Sequence, residues 1–214
     1  MKGVFRERPS LPKYSVTYDV KQVLDFIKTQ NVEPLEMLTK CLATLLCLLS
    51  GQRSQTLSKL SVEHMHLDDS RAVFYIPSLL KQSRPGYHQK PLEFKAYPQE
   101  TKLCPVMMLQ KYITYTKKTR VVNSYTKLFL SYGKPFKPVG WTTIARWVTD
   151  IVEKCGIDIK TFSAHSTRSA STSKAKHNLS LSEISNNAGW SGVRTFAKHY
   201  DKPILKNFGE TVLD

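Results

Sequence analysis

Three short stretches near the C-terminal end hold side chains suited to one chemistry: Ala164-His165-Ser166-Thr167-Arg168, Gly189-Trp190 and His199-Tyr200. His165 and Arg168 stand three apart, so on a helix they share a face. An imidazole, a guanidinium, an indole N–H and a phenol are together equipped to bind a phosphodiester, move its proton and attack its phosphorus. Arg168 offers a planar fork that matches two phosphate oxygens. A second arginine, Arg53, follows Ser50-Gly51-Gln52 at the end of an apolar run. There a tight glycine turn beside a helix start presents backbone N–H groups to an anion. Two arginines would neutralise a phosphorane with two negative charges. Each residue also has an ordinary reading: a solvated arginine, a satisfied core histidine, a packing tryptophan or tyrosine. The functional reading rests on the set, not on any member.

Those side chains need elements to position them, and the hydrophobic pattern supplies mostly helices. Asp19 is placed to cap a helix over 20–28, where Val20, Val23, Leu24 and Ile27 recur at helical spacing. Pro34 opens a strongly apolar helix to about residue 49, which Gly51 ends, and a short third helix is expected over 54–60. The pattern then changes. Ala72-Val73-Phe74-Tyr75-Ile76 is strand-like, Ser83-Arg84-Pro85-Gly86 signals a turn, and Pro91-Leu92-Glu93-Phe94 alternates again. This predicts a β-hairpin, with Lys81 where the first strand enters the loop. Pro105 fits the first turn of the next helix, with Val106, Leu109, Tyr112 and Ile113 on its apolar face. Leu128-Phe129-Leu130 reads as a short buried strand. Thr142 or Thr143 is expected to cap a helix carrying Ile144, Trp147, Val148, Ile151 and Val152 inward and Arg146 outward, stopped at Gly156. Three short helices follow over 166–176, 182–187 and 193–200, and Pro203 ends the last. The fold class is therefore α+β, mainly helical with a small antiparallel sheet. Residues 1–17 read as an arm or linker, 18–203 as the domain and 204–214 as a separate tail.

Charge narrows the partners. The 214 residues carry 32 basic and 17 acidic side chains, a net +15 with a pI near 9.7. Such a surplus favours polyanions, nucleic acid first and an anionic membrane surface second. No apolar run reaches the roughly 18 residues that a membrane span needs. The N-terminus has no apolar core region and does not read as a signal peptide, which places the chain in a reducing compartment. Cys41, Cys47, Cys104 and Cys155 are scattered and read as small buried apolar residues. His64-Met65-His66 is a close histidine pair, but no carboxylate or cysteine set completes a metal site around it.

The order Arg53, Lys81, His165-x-x-Arg168, Trp190, Tyr200 resembles the catalytic domain of the tyrosine recombinase (phage integrase-like) family, over roughly residues 34–203. Gaps of 28 residues from Arg53 to Lys81, 25 from His165 to Trp190 and 10 from Trp190 to Tyr200 resemble the family's. Gly51-Gln52-Arg53-Ser54-Gln55-Thr56, Leu79 through Gly86, Ala164 through Arg168 and Ala188-Gly189-Trp190-Ser191 are similar to eukaryotic transposon versions of the Crypton or DIRS/Ngaro type. The resemblance implies that Arg53 and Arg168 clamp the scissile phosphate and that His165 exchanges a proton with the nucleophile. It implies that Lys81 protonates the departing 5′ oxygen, that Trp190 hydrogen-bonds the phosphate, and that Tyr200 attacks to give a 3′-phosphotyrosyl link. It further implies double-stranded DNA as partner, a homo-oligomer (dimer or tetramer) on that DNA, and no metal or small-molecule cofactor. Location follows from the lineage: the nucleus for a eukaryotic transposon, the cytoplasm otherwise. Arg84, Lys90, Lys174, Lys176, Arg194 and Lys198 are the candidate DNA-contacting cations around the site.

Two departures from the family pattern carry expectations. Many members have an acidic residue three after the first arginine. Here Thr56 stands there, so a hydroxyl or backbone group must replace the missing salt bridge to Arg53. The family's N-terminal helical bundle is not expected in the first 33 residues, which are too short for it. The tail 204–214 presents Ile204, Leu205, Phe208 and Val212, a set suited to docking on a neighbouring protomer or on its own domain. Two other functions use the same features: a type IB topoisomerase-like nicking and closing activity, and a non-catalytic DNA-binding module.

Overall fold

The computed structural model describes residues 14–77, 90–190 and 192–205. The described residues include eight α-helices, one short 3-10 helix (Thr101–Leu103) and three short strands. Helix α1 (Val20–Thr29) starts where the Asp19 carboxylate accepts the Lys21 N–H at 2.9 Å, and it buries Val20, Val23 and Ile27. Helix α2 (Leu35–Ser50) is buried along most of its length, from Leu38 to Leu48. A helix apolar on nearly every face belongs at the centre of a domain. It packs against α4 (Pro105–Asn123), α5 (Trp141–Lys154) and α6 (Ser166–Ala175). Gly51 ends α2 in the left-handed region at φ +59°, where a Cβ would stand 3.2 Å from the Thr172 methyl of α6. Glycine there lets the turn before Arg53 lie directly on α6. One further turn of helix, α3 (Ser54–Leu57), follows, shorter than the sequence pattern suggests.

Strands β1 (Met65–Leu67), β2 (Arg71–Phe74) and β3 (Leu92–Lys95) form an antiparallel sheet in the order β1-β2-β3. Arg71 faces Lys95 and Phe74 faces Leu92. Ala72, Phe74, Leu92 and Phe94 point to the core, and the two phenylalanine rings meet edge to face at 6.1 Å. The expected hairpin is thus present as β2 and β3, and β1 adds a third strand to it. The Asp68 carboxylate holds the β1–β2 turn by accepting the N–H groups of Ser70 and Arg71.

Two expectations are corrected. Leu128-Phe129-Leu130 is fully buried but is not a strand. It is extended chain with isolated bridges, Ser61 to Lys127 and Leu130 to Pro138, because its backbone bonds switch from residues 60–62 to residues 137–139 and neither pairing runs long enough to make a strand. The α5 N-cap is Gly140, with no side-chain cap, and Thr142 and Thr143 lie inside the first turn.

Residues 14–17, read from the sequence as part of an arm or linker, pack on the domain that Tyr18 opens. Thr17 is fully buried, and Tyr14 and Tyr18 stack edge to face on Phe162. Thr17 also holds the start of the tail in cis: its N–H donates to Pro203 O at 2.8 Å and its carbonyl accepts from Leu205 N at 2.6 Å. A single extended segment has no periodicity to reveal that it is buried. Phe208 and Val212 lie outside the described residues.

The C-terminal part builds a second, smaller core. Helix α7 (Leu181–Ala188) begins with a capping box between Ser180 and Glu183 and ends at Gly189, φ +69°. Helix α8 (Val193–His199) follows. Ile184, Ala188, Trp190, Phe196 and Tyr200 pack together there.

Candidate active site

Arg53, His165, Arg168, Trp190 and Tyr200 converge. Arg53 leaves the α2–α3 turn, and its Nη2 donates to the Tyr200 hydroxyl at 3.2 Å. His165 stands at the N-cap position of α6, and its Nε2 is 3.3 Å from the same hydroxyl. The Trp190 and Tyr200 rings stack at 4.5 Å with 28° between their planes. The Arg168 guanidinium sits 4.6 Å from the Trp190 ring centre and 5.3 Å from that of Tyr200.

Helix α6 is unusual in being polar and buried. Ser166, Thr167, Arg168, Ser169, Thr172 and Ser173 are all nearly inaccessible. Their small side chains let the helix lie between α2, α1 and α7, and Tyr18 donates its hydroxyl to Thr167 at 3.0 Å. The framework is close enough to seal Arg168, which is 1% exposed. Its Nη2 donates to Ala188 O at 2.7 Å, whereas Nε and Nη1 have no partner among the described residues. The Trp190 indole N–H is likewise buried without a partner. Burial, and next the charge of Arg53, pull the Arg168 pKa down to about 9, so the group stays cationic at neutral pH. Buried donors without acceptors cost roughly 1–3 kcal/mol each, more when charged. An anion between Arg168, Trp190 and Arg53 would satisfy all of them.

Thr56 does not touch Arg53 by a side-chain bond. Its hydroxyl donates to Gln52 Oε1 at 3.2 Å, and Gln52 Nε2 donates to Asn187 O at 2.8 Å, tying the arginine-bearing turn to the end of α7. The hydroxyl that reaches the Arg53 guanidinium is that of Tyr200.

A cavity of about 440 Å³ opens beside these groups, lined by Arg53, Arg146, His165 and Arg168 and by Trp141. Sequence reasoning placed Arg146 on the outer face of α5 and did not use Trp141, which is 53% exposed. The available signal was Arg146's outward register on a helix that ends eleven residues before His165. Lys81 and Arg84 lie outside the described residues. Lys90 is exposed ahead of β3 and lines a different cavity with Glu183 and Asn186. Lys174 and Lys176 line a third cavity with Asp201 and Lys202, and Lys176 pairs with Asp201 at 2.6 Å. Arg194 and Lys198 are exposed on α8. Among the described residues no cluster of three or more His, Cys, Asp or Glu is placed to hold a metal, and no helix is long and apolar enough to cross a membrane.

With this arrangement in place, comparison gives the class. The chain belongs to the phage integrase family, whose profile matches residues 17–204. A sequence comparison with curated proteins finds no match. The fold is that of tyrosine recombinase catalytic domains. It is similar to the XerA recombinase (TM-score 0.61, 18% identity, 98% of this chain and 66% of that one). It is also similar to XerH site-specific recombinase bound to difH substrate in a pre-cleavage complex (TM-score 0.60, 14% identity, 85% of this chain). A third is a lambda integrase(75-356) dimer bound to a COC′ core site (TM-score 0.57, 16% identity, 97% of this chain and 67% of that one). The chain spans about half of the XerH chain, 49%.

Proposed function

We propose that this chain cleaves and rejoins double-stranded DNA through Tyr200. The observation that carries the reading is the meeting of Arg53 and His165 on the Tyr200 hydroxyl beside a buried arginine whose Nε and Nη1 have no partner among the described residues. Arg53 donates to the phenolic oxygen and is placed to keep that bond as the proton leaves. An unprotonated His165 Nε2 accepts the phenolic proton. The Tyr200 oxygen then bonds to phosphorus as the P–O5′ bond breaks, and the 5′ oxygen takes a proton, a role the family resemblance gives to Lys81. Arg53, Arg168 and Trp190 hold the two negative charges of the phosphorane, the largest contribution to rate in such a site. The ester energy is kept in the phosphotyrosine, so the reverse attack by a 5′-hydroxyl rejoins the strand without ATP.

The net charge of +15 supports a DNA partner, and the DNA-bound relatives support assembly as a homo-oligomer on it. We read the biological role as integration or excision of a mobile element. A structural likeness to the Tn1549 transposon integrase in complex with transposon right end DNA (TM-score 0.55, 14% identity, 96% of this chain and 66% of that one) favours it.

The test is a nicked suicide duplex taken from the DNA flanking the coding sequence. The expected product is a covalent, protease-sensitive adduct that Tyr200→Phe abolishes. An adduct that survives Tyr200→Phe rejects the nucleophile, and tight binding with no adduct reassigns the chain as a DNA-binding module.

A further inference from the structure

Hydroxyl side chains in the helices of this protein usually fold back on their own backbone. Thr39, Thr44, Ser50, Thr116, Thr149 and Thr172 each donate to the carbonyl four residues earlier, the common local bond for such residues. Ser169 and Ser173 do otherwise. They stand four apart on one face of α6, and both donate across to a single acceptor, the Tyr200 carbonyl, at 2.9 and 2.8 Å. Ser173 Oγ also accepts the Lys202 N–H at 3.1 Å, so one hydroxyl bridges both sides of residue 201. One turn further along the same face, Lys176 pairs with the Asp201 carboxylate at 2.6 Å. Both serines are buried, at 0% and 4% exposure.

Tyr200 is the C-cap of α8, where helix carbonyls lack partners within the helix. A helix of seven residues has little stability of its own. Within α8 only Phe196 is buried, and apolar packing is not directional, so the height of the tyrosine relative to the phosphate clamp needs a further anchor. The clamp residue Arg168 immediately precedes Ser169, so the same turn of α6 holds the arginine and the backbone of the tyrosine.

We propose that Ser169 and Ser173 are positioning residues that set the register of Tyr200 against Arg53, His165 and Arg168. The proposal rests on Tyr200 being the nucleophile. The two hydroxyls act on its main chain, leaving the phenol free to travel from His165 to phosphorus. Their loss should slow attack while leaving duplex affinity unchanged, because neither serine faces the cavity beside Arg53 and His165.

Threonine and valine have nearly the same shape and differ in the hydroxyl, so they separate hydrogen bonding from packing. The experiment measures single-turnover adduct formation on the nicked duplex at saturating protein, duplex affinity and thermal unfolding. The variants are Ser169→Thr, Ser169→Val, Ser173→Thr, Ser173→Val and Tyr200→Phe. Each valine variant should lose about 10²-fold in rate, the scale of a 1 Å misplacement, with affinity unchanged, and each threonine variant should keep the wild-type rate. If a valine variant fails to fold, alanine at that position replaces it in the comparison. Equal rates for the hydroxyl and non-hydroxyl variants, with Tyr200→Phe inactive, overturn the positioning role alone. An adduct from Tyr200→Phe overturns the nucleophile and this proposal with it.

Discussion

Arg120 and Arg168 are both buried arginines, 7% and 1% exposed, yet they are buried in opposite ways. Arg120 lies on α4. Its Nε donates to Thr116 Oγ1 at 2.9 Å, Nη1 to Lys127 O at 2.5 Å and Nη2 to Leu128 O. Its guanidinium also sits 5.8 Å from the Tyr112 ring centre. It anchors the extended 127–130 segment, which pairs with its neighbours only through short bridges. The Arg168 side chain donates to Ala188 O, while among the described residues Nε and Nη1 have no partner and the guanidinium lies against two aromatic faces. The first arginine has an acceptor at each of its three nitrogens, and the second, among the described residues, has one at Nη2 alone. A buried cation with a partner at every nitrogen is a structural device. One left short of partners beside His165 and Tyr200 is a candidate binding site, kept at a cost in stability.

The sharpest break of that comparison is Arg168→Met. Strand cleavage should fall by on the order of 10³-fold, as for loss of a transition-state donor. The DNA-free protein should be no less stable, and up to about 3 kcal/mol more stable, since an apolar side chain relieves a buried unpaired charge. Suicide-substrate kinetics and urea unfolding check the two halves. A loss of stability would mean that the open fork is not strained by burial.

Arg120→Met is the mirror image. It strands Lys127 O and Leu128 O and should cost about 3 kcal/mol of unfolding free energy, with cleavage by the still-folded protein near the wild-type rate. A cleavage defect in a folded Arg120→Met variant would erase the distinction between the two arginines.

Trp190→Phe keeps an aromatic face on Arg168 and removes the buried N–H. A hydrogen bond to a charged group is worth about 1.5–3 kcal/mol, so cleavage should drop roughly tenfold or more without loss of fold. An unchanged rate would show that the indole only packs.

The smallest effect belongs to Thr56→Val, which removes the hydroxyl that steadies Gln52. We expect a stability loss of about 1 kcal/mol and a rate loss well below that of Trp190→Phe. A larger loss than for Trp190→Phe would place Thr56 in direct support of Arg53.

The larger elements were legible because their signals are local. Asp19 before α1, Pro34 and Gly51 around α2, and the repeat at Ile144, Trp147, Val148, Ile151 and Val152 each set an element by capping, backbone freedom or periodicity. Strand β1 and the bridged segment at 128–130 were less legible, since pairing depends on what lies alongside. The same holds for residues 14–18, buried by α1, Phe162 and the start of the tail, which no periodicity announces.

For the candidate site, the sequence alone supplied the residues: two arginines, a histidine, a tryptophan and a tyrosine in a fixed order, on a chain whose net charge of +15 favours a polyanion. Residue types and spacing carry that much, because the chemistry needs those functional groups and helix geometry limits where they fall. Only the tertiary structure decided their states. Among the described residues it left two Arg168 nitrogens without a partner and gave every Arg120 nitrogen one, directed the Tyr200 hydroxyl between Arg53 and His165, and turned Ser169 and Ser173 away from their own helix toward the Tyr200 backbone. The reason is physical: a hydrogen bond is made or left unmade by groups far apart in the chain, and burial sets what each one is worth.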